Sequence, residues 1–231
     1  PDQVALSYAP RSDDAGPIAR PTIVPNSEGL APGVTTDTIV MGWNDLAAIT
    51  AVFEQLGDEI AGVVTEPICC NFGVIEPDPG YIEGLRALCD RYDAVLIFDE
   101  VQTGFRLALG GAQQLLGVTP DLTCFGKALS GGLPVSAVGG RADIMEMIAD
   151  RRVLQAGTYN TNPLGLAAVE ANLRVLAEPG HFEEMARRSQ TLRSGIAELI
   201  APIGAYVQGS STVFGIGFGP GPIRTDRKSV V

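Results

Sequence analysis

The sequence predicts an α/β fold with a mostly parallel sheet flanked by helices. Three observations carry that prediction. Short apolar runs rich in β-branched and aromatic residues recur at Ile60–Val64, Ala94–Phe98 and Leu122–Phe125, each with the length and composition of a buried strand. Amphipathic patterns of helical period lie between them. Each run also stops at residues that do not belong in a core: Thr65-Glu66-Pro67, Asp99-Glu100 and Gly126-Lys127. Strands alternating with helices, with polar groups at the strand ends, describe a parallel sheet whose ligands sit beyond its carboxyl edge.

Taken in order, residues 1–37 are rich in Pro, Gly, Asp and Ser, show no period and read as loop. Thr22-Ile23-Val24 and Thr38-Ile39-Val40 read as short extended pieces. Asn44-Asp45 opens a helix whose apolar positions Leu46, Ile49, Val52, Phe53 and Leu56 follow the helical period, and Gly57 ends it. After the strand at 60–64, Pro67 imposes extended or turn geometry on Glu66. Pro79 to Tyr92 forms a helix with Ile82, Leu85, Leu88 and Cys89 on its apolar face. Beyond the strands at 94–98 and 122–125, Leu133 to Gly139 reads as a further strand, and Arg141-Ala142-Asp143 opens a helix through Ile148. Asn162-Pro163 is a helix start, with Asn as cap and Pro in the first turn. That helix runs from Leu164 to Leu176 and stops at Glu178-Pro179-Gly180. A long helix from Phe182 to Ile200 and two short strands, Ala205–Val207 and Val213–Phe218, complete the chain.

Composition narrows the function. The 231 residues are 45% hydrophobic, enough for a substantial core, and the formal net charge is −11. That charge argues against nucleic acid and anionic membranes as partners. No apolar run reaches membrane-spanning length. Cys69, Cys70, Cys89 and Cys124 follow no disulfide or zinc spacing, which points to a reducing, cytoplasmic setting. With His181 the only histidine, a histidine-based triad or metal centre is not expected.

The chemistry concentrates between Ala94 and Lys127, where one strand delivers a carboxylate, Asp99, and another a lysine, Lys127. A cofactor with a basic ring nitrogen and an aldehyde needs that pair: the amine forms a Schiff base and the acid keeps the ring nitrogen protonated. Pyridoxal 5'-phosphate (PLP) has both groups. Only Lys127 and Lys228 of the sixteen basic residues are lysines, and arginine cannot form a workable imine at neutral pH. On the residues alone, Lys127 reads equally as a surface lysine after a strand, and Asp99 as a cap or ion-pair partner. Glu100 faces away from Asp99 if the strand continues, whereas Val101 shares the parity of Asp99.

Phe98-Asp99-Glu100-Val101-Gln102-Thr103-Gly104-Phe105-Arg106, Pro120-Asp121 and Phe125-Gly126-Lys127-Ala128-Leu129-Ser130-Gly131-Gly132-Leu133-Pro134 together resemble the class III PLP-dependent aminotransferases. Thr65-Glu66-Pro67-Ile68 followed by Asn71-Phe72-Gly73 resembles the glutamate-1-semialdehyde 2,1-aminomutase branch of that family. The resemblance runs from about Ala15 to about Gly219. It implies the fold-type-I (aspartate aminotransferase-like) architecture, with residues 1–178 in the large PLP-binding domain and 179–231 forming the interdomain helix and the start of the small C-terminal domain. Pro1 in place of methionine and the final run, Pro222 to Val231, suggest a piece truncated at both ends.

The resemblance also implies roles. Lys127 is the catalytic lysine and Asp99 the partner of the ring nitrogen. Val101 packs on the ring. Gln102 and Asn71 are both candidates for the ring's phenolic oxygen, and the sequence has an amide at each. Thr158 matches a threonine that reaches the cofactor phosphate of a neighbouring subunit, so a homodimer with shared active sites is implied. Glu66 falls on the substrate side or is structural. The expected substrates are a small-molecule amino donor and a carbonyl acceptor, with no metal. Gln102 leans to intermolecular amino transfer and Asn71 to the aminomutase. A catalytically inactive binding or assembly module is the alternative from another class.

Overall fold

The computed structural model describes residues 6–7, 10, 13–17, 20–219 and 221–224. Four strands form the principal sheet in the order β1 (Gly62–Thr65), β2 (Val95–Asp99), β3 (Leu122–Phe125) and β4 (Ala137–Gly140). β1, β2 and β3 are parallel, and β4 returns antiparallel to β3. The register sets Thr65 opposite Phe98, Asp99 opposite Cys124 and Phe125 opposite Ala137. The carboxyl ends of all three parallel strands therefore meet at one edge.

Seven α-helices are described: α1 (Pro32–Thr36), α2 (Leu46–Leu56), α3 (Tyr81–Arg91), α4 (Gly111–Leu116), α5 (Ala142–Ala149), α6 (Pro163–Leu176) and α7 (His181–Ile200). The caps form as the sequence predicts. Asp45 Oδ1 accepts from Ala48 N at 3.0 Å, and Asn162 Oδ1 accepts from Gly165 N at 2.7 Å. A two-stranded antiparallel hairpin, β5 (Ala205–Ser210) and β6 (Val213–Phe218), follows α7.

α2 and α3 cover one face of the sheet. Phe53 from α2 and Ile82, Leu85 and Cys89 from α3 share a core with Leu96 and Phe98 of β2. Leu96 and Phe98 are wholly buried, contributing about 1.5–3 kcal/mol each by area. Strand alternation then turns Val95, Ile97 and Asp99 to the other face, where all three are half-buried. Packing β2 against α3 is thus what aims the Asp99 carboxylate.

The structure departs from the sequence reading in three places. The strand expected at Leu133–Gly139 forms only at Ala137–Gly140, because 133–136 are taken up by the turn after Ser130. The pieces at 22–24 and 38–40 lie in irregular backbone outside the named strands, as a loop reading allows, with Ser7 N donating to Val24 O beside an isolated bridge between Leu6 and Pro25. A short helix, α1, starts at Pro32 within the stretch read as loop. Helix α4 went unforeseen because it is six residues long and opens with Gly111, a poor helix former. Lys228, with the rest of 225–231, lies outside the described residues. No helix among the described residues is long and apolar enough to cross a membrane.

Candidate active site

The backbone changes course as it leaves each parallel strand. β2 ends at Asp99, whose Oδ1 accepts from Val101 N at 3.0 Å. This closes a turn, so the parity argument for Val101 does not extend past Asp99. Val101 reaches the neighbouring strand end by a different route: a Cβ built on Gly126 would lie 3.3 Å from its Cγ1. The valine side chain therefore packs on the backbone that immediately precedes Lys127.

Glu100 turns inward and is wholly buried. Its carboxylate accepts from Thr103 Oγ1 at 2.8 Å, Ala112 N at 2.6 Å, and Gln113 N and Nε2, both at 3.1 Å. Gln113 Nε2 also reaches Thr123 Oγ1 on β3 at 3.3 Å. A buried charge is tolerated when donors surround it, and this one starts α4. Gly111, at φ +69°, is required there, since a Cβ would overlap the Glu100 carboxylate. Asp99 and Glu100 are thus neighbours in sequence with different work: one faces the site and the other locks the loop that follows it.

Lys127 follows β3 and opens a 3₁₀ turn, Lys127–Ser130. It is exposed, with φ +42°, a strained value for a residue with a side chain. Such strain costs about 1–3 kcal/mol and persists only where the surroundings enforce it. Here Asn172 of α6 enforces it, donating from Nδ2 to Ala128 O at 2.7 Å and Leu129 O at 3.1 Å. Ser130 Oγ closes the turn by donating to Leu133 O. The sequence reading missed Asn172; its one signal is an amide amid apolar residues in the interior of a helix.

The end of β1 supplies the third wall. Glu66 Oε2 accepts from Cys70 N at 2.9 Å and Oε1 accepts from Asn71 Nδ2 at 3.1 Å. Asn71 Oδ1 in turn accepts from Gln102 Nε2 at 2.7 Å. The structure thus joins Glu66, Asn71 and Gln102, read as separate candidates, into one chain of hydrogen bonds. Burial raises the pKa of Glu66 above its ordinary value, against the lowering effect of the Cys70 and Asn71 donors; the charges of Asp99 and Lys127 also reach it, with opposite signs. Burial, reinforced by Glu66, pushes the Cys70 thiol up to about 12, so Cys70 remains a neutral thiol beside the site.

Lys127, Asp99, Val101, Glu66, Asn71 and Gln102 therefore converge on one edge of the sheet. Thr158 stands apart from them, in an exposed turn before α6, and no hydrogen bond among the described residues involves it. Around it the chain is apolar and open: Leu154 is 88%, Tyr159 83% and Leu164 71% exposed.

The sequence matches the family model for class III aminotransferases over residues 26–218. It is 47% identical over 203 residues to glutamate-1-semialdehyde 2,1-aminomutase of Desulforudis audaxviator, an alignment covering 87% of this chain and 47% of that protein. Among solved structures, an ω-transaminase from Sphaerobacter thermophilus superposes with a TM-score of 0.88 at 34% identity, over 97% of this chain and 54% of the other. A transaminase with PLP bound superposes with a TM-score of 0.84 at 28% identity, over 96% and 51%. The chain spans about half the length of the curated relatives it matches. That family model spans most of the chain, and the chain belongs to the class III aminotransferase family.

Proposed function

We propose that this chain carries the lysine-bearing half of a PLP-dependent active site that moves an amino group between a small-molecule amino donor and a carbonyl acceptor. The observation that carries the reading is the pairing of Asp99 and Lys127 on adjacent parallel strand ends, beside a chain of amides. The donor set fits the cofactor: a carboxylate for a ring nitrogen, an amine for an aldehyde, an apolar side chain for the ring and an amide for the ring oxygen. When bound, PLP supplies an electron sink for a carbanion.

The chain's own residues would divide the work as follows. Asp99 holds a proton on the ring nitrogen, with its own orientation fixed by Val101 N. Val101 excludes water from one side of the ring. Lys127 Nζ would hold the cofactor through its aldehyde and would carry a proton to and from the substrate carbon. Gln102 binds the ring oxygen.

Aminomutase chemistry, in which the amino group moves within one molecule, is the second reading. The 47% identity to a glutamate-1-semialdehyde 2,1-aminomutase favours it. Turnover of glutamate-1-semialdehyde with no second amino donor would distinguish that reaction from intermolecular transfer.

We further propose a homodimer that completes each site from its partner, with Thr158 contributing to the phosphate of the neighbouring subunit. The exposed Leu154, Tyr159 and Leu164 beside it support this, since such residues are found at subunit contacts. The division into a large domain over 1–178 and the start of a small one over 179–231 belongs to the same reading. So does a cytoplasmic setting, supported by four free cysteines.

The test is chemical. Incubation with PLP, borohydride reduction and digestion should label the peptide containing Lys127. Label confined to Lys228, or absent from a form of the protein that retains cofactor, would overturn the assignment.

A further inference from the structure

Glu66 is held too firmly to serve as a mobile substrate ligand. Its carbonyl oxygen accepts from the indole Nε1 of Trp43 at 3.1 Å and from Thr65 Oγ1 at 3.0 Å. Trp43 is part of the core, and Pro67, Ile68 and Cys69 behind Glu66 are buried. Both carboxylate oxygens are occupied, by Cys70 N at 2.9 Å and Asn71 Nδ2 at 3.1 Å. The flanking loops are fixed as well. Gln208 of the hairpin donates to Val74 O at 3.3 Å, and Thr212 Oγ1 donates to the carbonyl of Arg106.

The polarity of the amides follows from this charge. An ionised carboxylate only accepts, so Asn71 must face it with its NH₂ group. Asn71 Oδ1 then points the other way and can only accept, so Gln102 must face it with Nε2, as the 2.7 Å contact requires. One N–H of Gln102 is thereby committed, and its second N–H is left as a donor for the site.

We infer that Glu66 is a positioning residue: acting through Asn71, it fixes which end of the Gln102 amide faces the site, so that Gln102 presents a donor to the ring oxygen of a bound cofactor. This inference rests on the proposed function for its consequence, but the relay itself needs no cofactor. Its effect on the cofactor has a definite sign. A donor on the ring oxygen would compete with a proton held between that oxygen and the Lys127 nitrogen, so the relay would lower the affinity for that proton. The direct field of the Glu66 charge does the opposite. Among the described residues, the charges of Asp99 from β2 and Lys127 after β3 reach Glu66, and the Cys70 thiol lies on its own loop.

Two measurements test the inference in the holoprotein and the cofactor-free chain. In the first, the pH midpoint of the visible band of the PLP-loaded protein is followed. Glu66→Ala should raise it, by less than the roughly one pH unit of a lost hydrogen bond because loss of the direct field offsets part of the rise. In an Asn71→Ala background the same substitution should lower it, since only the direct field then remains. A lower midpoint for Glu66→Ala with Asn71 in place would overturn the inference. The second measurement leaves Glu66 unmutated and serves if that variant does not fold. In the cofactor-free chain, the Gln102 side-chain amide resonance should titrate with the midpoint of the Glu66 carboxyl carbon, with Asp99 followed by its own signal. In Asn71→Ala that coupling should vanish. A Gln102 amide indifferent to Glu66 ionisation, with Asn71 present, would refute the relay even if Lys127 takes the label. Conversely, an unlabelled Lys127 with an intact coupling would remove the proposed function and leave the relay standing.

Discussion

Asp99 pairs with Cys124 across the parallel β2–β3 ladder, and Lys127 follows Cys124 by three residues. The carboxylate and the lysine therefore leave the sheet at the same edge, from neighbouring strands. Their proximity is set by backbone pairing and by the buried bridge Glu100–Gln113–Thr123 beneath it. A site built on strand ends in this way keeps its geometry when side chains at its rim change.

That arrangement makes Asp99 separable from the fold. Asp99→Asn keeps the shape and can keep the contact with Val101 N, but an amide does not hold a ring nitrogen protonated. In a form of the protein that turns over, Asp99→Asn should retain the label at Lys127 and lose activity by about two to four orders of magnitude. Steady-state turnover alongside borohydride labelling measures both. Near-normal turnover would make Asp99 a structural turn residue.

Thr158 makes the opposite kind of prediction, because the role proposed for it requires a second subunit. Thr158→Ala should weaken PLP retention roughly tenfold in the assembled dimer, the effect of about one hydrogen bond to a charged oxygen. It should leave unfolding of the single subunit unchanged, as befits an exposed turn residue. Sedimentation at several concentrations, paired with PLP titration, checks this. An equal loss in a monomeric form would assign Thr158 to its own subunit's cofactor.

Asp121 carries a stability prediction. Its buried carboxylate accepts from Leu96 N at 2.7 Å, Arg86 at 2.8 Å and Arg141 at 3.0 Å, joining β2, α3 and the start of α5. Burial pushes its pKa up, but the Leu96, Arg86 and Arg141 donors outweigh that and hold it below the ordinary 3.8. A depressed carboxylate stabilises the folded chain fully above its unfolded value, and that stability is lost as pH falls through the lower folded value. Asp121→Ala should therefore cost about 2–3 kcal/mol near neutral pH, chiefly by leaving the buried Leu96 N–H without its acceptor and the half-buried Arg86 with Asp90 alone. The variant should also lose the share of acid destabilisation that protonation of Asp121 would contribute as pH falls through its depressed folded value. Denaturant unfolding at pH 7 and pH 3 measures both effects. A variant as stable as its parent at pH 7 would show the cluster to be dispensable.

The sequence by itself determined the elements and the chemical candidates. Apolar runs of strand length, the Asp45 and Asn162-Pro163 helix starts and the apolar face of α3 are local patterns, and local patterns survive without tertiary context. Asp99 and Lys127 stand out as candidates because each follows an apolar run at a strand end, where a charged group has few other reasons to be. What tertiary structure decided was mostly polar and non-local. Parity sets Asp99 and Glu100 on opposite faces, but only the fold of 100–113 shows Glu100 wholly buried among four donors. Asn172 lies 44 residues beyond the Ala128 carbonyl it holds, and no period or motif links the two. The amides at 71 and 102 remained alternatives in the sequence, and the fold made them links of one chain ending at Glu66. The physical reason is common to all three: hydrophobic periodicity is a property of one element, whereas a hydrogen bond between loops exists only after the sheet has set their strands in register.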